Sequence, residues 1–159
     1  MEREKGQSQE QNRMKGKKSW IHKAQKDWDS NDGHDLLQKN RICEILRDNH
    51  IRHYPLIDQT IFINKNTFSW QMEHPKGYRS KEDLWKDWEV FKPDLLFPQK
   101  NLIIELDGPF HFNTAKGVRQ TNKRNQYYEY AGIRLIWYYT DKVKEMSDGT
   151  LYLDLLEKL

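Results

Sequence analysis

Residues 92–107, KPDLLFPQKNLIIELD, contain the clearest structural pattern in the chain. Two runs of large apolar side chains predict strands over 92–97 and 101–107. The proline and polar residues at 98–100 predict a turn between them. Together these features predict an antiparallel β-hairpin.

The hairpin brings acidic residues together. With the turn centred between Gln99 and Lys100, Asp94 lies directly opposite Glu105, at the spacing of cross-strand neighbours. Asp107 is two residues beyond Glu105, so the two side chains share one face of the strand. We therefore expect three carboxylates to converge on one patch of a sheet.

Three carboxylates at such spacing repel one another, so the fold needs protons, paired cations or a metal ion there. Hard oxygen ligands suit Mg²⁺ or Mn²⁺, and a bound ion can activate water toward a phosphodiester. The patch is therefore a candidate hydrolytic site for a phosphate ester. The alternative is that the acids cap strand ends or pair with surface lysines.

His111 lies four residues beyond Asp107. It is a candidate general acid or base, a metal ligand, or a hydrogen-bond partner of phosphate. The alternative is a purely structural histidine.

A basic helix is predicted over 116–131, ended by Gly132. Its cations could bind phosphates, or they could form an ordinary solvated face. The candidate residues for nucleic-acid contact on this helix are Lys116, Arg119, Lys123 and Arg124.

The remaining pattern predicts alternating helices and strands, and hence an α/β fold. Ser80 is predicted to cap a helix that runs to about Val90 and places Trp85 and Trp88 in the core. The other predicted elements are a helix over 35–49, a hairpin of strands at 59–64 and 67–72, a strand over 133–138 and a helix over 149–158.

Composition limits the class of protein. The chain has 159 residues, a formal net charge of +3 and a single cysteine. It contains no apolar run long enough for a membrane span, and too few cysteines for a disulfide scaffold. The first residues carry no secretory signal, so we expect an intracellular, cytoplasmic protein.

The polar N-terminal segment differs from the rest. Residues 1–32 are predicted to form a flexible basic arm, and residues 33–159 a single folded domain. Lys15, Lys17 and Lys18 of the arm could neutralise phosphates of a nucleic acid, or they could belong to an ordinary solvated terminus.

These motifs resemble a known superfamily. Pro93-Asp94, followed after ten residues by Glu105-Leu106-Asp107, resembles the signature of the PD-(D/E)xK nucleases. The longer run from Glu105 through Gly108 to His111-Phe112 resembles the E-x-D-G-x-x-H-F pattern of two branches. One branch contains endonucleases related to very-short-patch repair and phage homing, and the other is the RAP domain of RNA-associated proteins. The resemblance covers residues 92–140.

The resemblance implies a restriction-endonuclease-like fold, a mixed central sheet flanked by helices. It implies that Asp94 and Glu105 hold Mg²⁺, with Mn²⁺ as a substitute, and that Glu44 joins them from the first core helix. Asp107 stands where the motif has its lysine. Asp107 is then a further metal ligand, or Lys123 or Arg124 supplies the missing cation.

The function implied is a metal-dependent DNA endonuclease of homing or repair type, which would need a homodimer or successive events to cut both strands. The residues leave RNA open as a substrate. The main alternative is a non-catalytic, RAP-like RNA-binding module. A third interpretation is a small partner-binding protein whose tryptophan-rich segment 70–91 forms an interface.

Overall fold

A computed structural model describes residues 33–52 and 54–159. The predicted basic arm, residues 1–32 with Lys15, Lys17 and Lys18, lies outside the described residues. The described helices are α1 (Gly33–Asp48), α2 (Lys81–Asp87), α3 (Phe110–Asn113), α4 (Ala115–Tyr130), α5 (Thr140–Glu145) and α6 (Asp148–Lys158). The described strands are β1 (Leu56–Ile57), β2 (Ile61–Asn64), β3 (Trp70–Gln71), β4 (Trp88–Phe91), β5 (Leu95–Phe97), β6 (Leu102–Asp107) and β7 (Arg134–Tyr139).

The central sheet has the strand order β1-β5-β6-β7. It is mixed, because β5 and β6 form an antiparallel hairpin whereas β6 and β7 run parallel. Leu95 pairs with Ile104, so the same register one residue further places Asp94 opposite Glu105, as predicted. The connection is a 3₁₀ turn at Pro98–Lys100.

Alternate residues of β6 face two different layers. Leu102, Ile104 and Leu106 pack into a core shared with α1, α5 and α6. Ile103 faces the other side, under Tyr128 of α4. Because side chains alternate along a strand, Glu105 and Asp107 lie on the α4 side. The predicted α/β class, a mixed sheet flanked by helices, is confirmed.

A second, three-stranded sheet has the order β3-β2-β4. The predicted hairpin at 59–72 is present as β2 and β3, and Ser80 caps α2 as predicted by accepting a hydrogen bond from Asp83 N. The predicted extension of α2 to Val90 is wrong, because the helix ends at Asp87 and the following residues pair with β2 as β4. Trp85 is half exposed rather than in the core.

The close contact between α3 and α4 depends on Gly117. A Cβ at this position would lie 2.1 Å from the carbonyl oxygen of Phe110. Thr114 caps α4 by accepting a hydrogen bond from the Gly117 amide. The sequence pattern predicts α4, β7 and α6 but not the short helices α3 and α5. None of the described helices is both long and apolar enough to cross a membrane.

Candidate active site

Asp94 and Glu105 form a carboxylate pair at the end of the β5–β6 hairpin. Asp94 Oδ2 accepts a hydrogen bond from the backbone N–H of Leu106 at 2.7 Å. The carboxyl group of Glu105, which is 4 % exposed, lies within hydrogen-bonding reach of Asp94. Tyr128 on α4 donates its hydroxyl proton to Glu105 Oε1 at 2.8 Å. The pair is thus held by the sheet on one side and by α4 on the other.

The pair favours one proton. Burial and the neighbouring charge of Asp94 raise the pKa of Glu105 well above its ordinary value, against the opposing effects of Arg124 and Tyr128. Burial and Glu105 also raise the pKa of Tyr128, so its hydroxyl remains a hydrogen-bond donor. The raised pKa favours the protonated form of Glu105, which relieves the repulsion expected between neighbouring carboxylates.

Asp107 is paired with a cation. The guanidinium of Arg124 on α4 donates two hydrogen bonds to the two oxygens of Asp107, at 2.9 and 2.8 Å, and the indole of Trp137 donates a third. Arg124 Nη1 also lies 3.6 Å from Glu105 Oε2. Burial lowers the pKa of Arg124, but its hydrogen bonds to Asp107 and the charges of Glu105 and Asp107 together outweigh this and raise it, so the guanidinium stays charged. Glu105 and Asp107 share one face of β6, as predicted, and Arg124 contacts both.

Lys39 and Asp58 are site residues that the sequence analysis missed. Lys39 Nζ on α1 lies 2.8 Å from Asp58 Oδ1 and 2.9 Å from Asp94 Oδ1. The sequence does contain a signal for Lys39. It precedes the buried residues Ile42 and Leu46 at helical spacing, so it lies on the apolar face of α1. A cation on that face requires an acidic partner.

The structure does not bring Glu44 to the acid pair. Glu44 is exposed and lies five residues after Lys39 on the same helix. At about 100° per residue, it points roughly 140° away from Lys39 around the helix axis. Lys39, rather than Glu44, is the side chain through which α1 reaches Asp94.

His111 connects Asp107 to an open cavity. Its Nε2 lies 3.5 Å from Asp107 Oδ1, and its Nδ1 hydrogen-bonds the hydroxyl of Thr121 at 2.8 Å. The cavity, of about 320 Å³, lies between β4 and α4 and is lined by Glu89, Val90, Phe91, His111, Gln120, Thr121, Lys123 and Arg124. Lys123 Nζ pairs with Glu89 at 2.9 Å across the cavity.

Lys116 and Arg119 are exposed on the first turns of α4. Both lie on the helix that also carries Lys123 and Arg124, so the predicted basic residues belong to one element. Lys123 is also exposed, whereas Arg124 is turned inward toward Asp107.

The acid pair suits a divalent cation by its donor chemistry. Among residues 33–52 and 54–159, no three His, Cys, Asp or Glu side chains converge as a metal cage. Mg²⁺, however, commonly uses only one or two carboxylates and completes its shell with water and substrate phosphate. When all four nearby carboxylates are ionised they outnumber the two cations by two charges, which one divalent ion would balance. The carboxylates are Asp58, Asp94, Glu105 and Asp107, and the cations are Lys39 and Arg124.

Comparison of the chain with protein-family models, curated proteins and solved structures gives no match. The function is therefore argued from the site itself.

Proposed function

We propose that this chain is a metal-dependent endonuclease of the PD-(D/E)xK type that hydrolyses DNA phosphodiester bonds. The observation that carries the proposal is the pairing of Asp94 with the buried Glu105, whose carboxyl groups lie within hydrogen-bonding reach of each other at the end of the hairpin. Two ionised carboxylates held in contact repel each other, so releasing the proton of Glu105 is costly unless a cation takes its place. Bound between them, Mg²⁺ or Mn²⁺ would supply an activated water and stabilise charge developing on the phosphate.

The remaining side chains have distinct roles in this proposal. His111 faces the cavity, where its ring can donate or accept a proton, and Asp107 and Thr121 hold the ring in place. Arg124 fixes Asp107 and keeps it from repelling the pair. Lys123 at the cavity would contact a phosphate of the substrate.

The cations on the outer face of α4 would hold the nucleic-acid backbone. Lys116 and Arg119 are exposed to solvent, so their charged groups are accessible to phosphate. Such contacts fix the position of the substrate and carry little sequence information.

A second candidate is a non-catalytic RNA-binding module. The observation that favours it is the internal neutralisation of the acids, since Lys39 and Arg124 already pair with Asp94 and Asp107. Binding a phosphate backbone does not require buried acids, however, and uncompensated acids repel it. The pair therefore favours the nuclease.

The test is cleavage of supercoiled plasmid, single-stranded DNA and RNA by purified protein with Mg²⁺, Mn²⁺ or EDTA. We expect metal-dependent DNA cleavage that is lost in Glu105→Ala and retained in Glu44→Ala, a matched control on the exposed face of α1. Cleavage of neither DNA nor RNA, together with RNA binding that is unaffected by EDTA, would contradict the nuclease and support the binding module.

A further inference from the structure

Lys39 is a buried cation in contact with the proposed metal site. Its residue is only 9 % exposed, and lysines are almost never so buried unless they are paired. We propose that Lys39 is a positioning residue that holds Asp94 in the orientation needed to bind a divalent cation. This inference rests on the proposed function, because the cation is the one that the nuclease would use.

Other cations near the site have different partners. Arg124 directs its two terminal nitrogens at Asp107, and Lys123 pairs with Glu89 across the cavity. Lys39 is the cation that contacts Asp94, at 2.9 Å. It therefore places a positive charge beside the first carboxylate of the motif, whereas the lysine position of the motif holds an acid, Asp107.

Two donors fix the carboxylate of Asp94 from opposite oxygens. The Leu106 amide binds Oδ2 at 2.7 Å, and Lys39 binds Oδ1. This arrangement fixes the carboxylate plane relative to Glu105, despite the repulsion between the two acids. Outer partners of this kind orient a ligand before the metal arrives.

Asp58 holds Lys39 in place. Its Oδ1 lies 2.8 Å from Lys39 Nζ, and its backbone N–H donates to the Asp94 carbonyl at 3.1 Å. Asp58 has a φ of +53°, in the left-handed region that residues other than glycine rarely adopt. The loop after β1 is thus anchored to Asp94 through its backbone and to α1 through Lys39.

The test compares Mn²⁺ affinity, measured by calorimetry, in the wild type, Lys39→Met and Lys39→Arg. Loss of an outer partner typically weakens metal binding 10–100-fold, so we expect that loss in Lys39→Met. Lys39→Arg keeps the charge and should restore binding to within about tenfold of the wild type. Cleavage by Lys39→Met should recover as Mn²⁺ is raised, because Lys39 acts through the ligand.

Lys144→Met is the control, because it makes the same change at an exposed lysine whose partner is Asp141 rather than a carboxylate of the site. Its Mn²⁺ affinity should equal that of the wild type. If Lys39→Met fails to fold, the double variant with Asp58→Asn removes one of the two carboxylates that lose their cation, and it carries the same test.

Wild-type affinity, or tighter binding, in Lys39→Met or in the double variant would overturn the inference while leaving the nuclease proposal intact. A wild-type protein that neither binds Mn²⁺ nor cleaves nucleic acid would overturn both. The two failures are therefore distinguishable.

Discussion

Replacing the buried Glu105 by glutamine removes one ionisable group from the pair while keeping the size of the side chain. Glutamine can still accept the hydrogen bond from Tyr128 and donate one to Asp94, as a protonated Glu105 does. We therefore expect the metal-free variant to resemble the wild type at low pH. At neutral pH we expect Glu105→Gln to be the more stable protein.

The sign and size of this stability difference follow from the change in the pKa of Glu105 on folding. The pKa of Glu105 is raised on folding, so the folded chain keeps a proton that the unfolded chain releases above about pH 4.3. The stability from this group is complete below that pH and is lost as pH rises through the folded-state pKa. The free energy of unfolding then falls by about 1.4 kcal/mol per pH unit for as long as the folded chain keeps the proton.

Urea unfolding without metal, at intervals from pH 4 to 8, measures this effect. The free energy of unfolding of the wild type minus that of Glu105→Gln should fall as pH rises and then level off. Glu44→Gln is the control, because it makes the same chemical change at an exposed site on α1 and should follow the wild type. Each 1 kcal/mol corresponds to about 4 °C in melting temperature for a domain of this size.

Adding Mn²⁺ should make the wild type more stable than Glu105→Gln. The wild type gains about 2.7 kcal/mol at a metal concentration 100 times the Kd, whereas Glu105→Gln should gain little. If the free energies of unfolding of the wild type and Glu105→Gln depend on pH in the same way, the raised pKa of Glu105 is refuted. Equal stabilisation of both proteins by Mn²⁺ would refute Glu105 as a ligand.

Four further substitutions test other parts of the site and fold. Arg124→Met leaves the buried Asp107 without its cation and should cost about 3–5 kcal/mol in urea unfolding, and a loss below 1 kcal/mol would contradict the pairing. Gly117→Ala should cost at least about 1–3 kcal/mol, because its Cβ meets a backbone carbonyl. Gly149→Ala, where the Cβ meets open space, should stabilise α6 slightly in the same assay. His111→Ala should slow cleavage about 10²–10⁴-fold yet keep the thermal shift with Mn²⁺, and unchanged cleavage would exclude it as a proton donor or acceptor.

The hairpin was predictable because its signals are local. Two apolar runs and the turn at 98–100 are enough to define the register, and that register places Asp94 opposite Glu105. The shared face of Glu105 and Asp107 follows from strand geometry alone. These features can be predicted from the local sequence, without contacts to distant parts of the chain.

The missed features depend on distant contacts. Lys39 and Asp94 are 55 residues apart, so their pairing exists only once α1 packs against the sheet. The change from helix to strand at Trp88 has the same origin, because β4 forms by pairing with β2 rather than by local preference. Tertiary context overrides local propensity at such positions.

Arg124 is predicted as a candidate cation for the site, but its partner could not be deduced from the sequence. In the structure it binds Asp107, the residue that the resemblance offers as a further metal ligand. A spacing of 17 residues across a loop and a helix leaves such a pairing undefined.

The central claim is that Asp94 and Glu105 exchange a shared proton for a divalent cation. Calorimetric titration of the wild type with Mn²⁺ near pH 6, in two buffers of different ionisation enthalpy, measures both binding and proton release. We predict one site per chain, with proton release that disappears in Glu105→Gln. Absence of binding, or binding with the same proton release in Glu105→Gln, would contradict the claim.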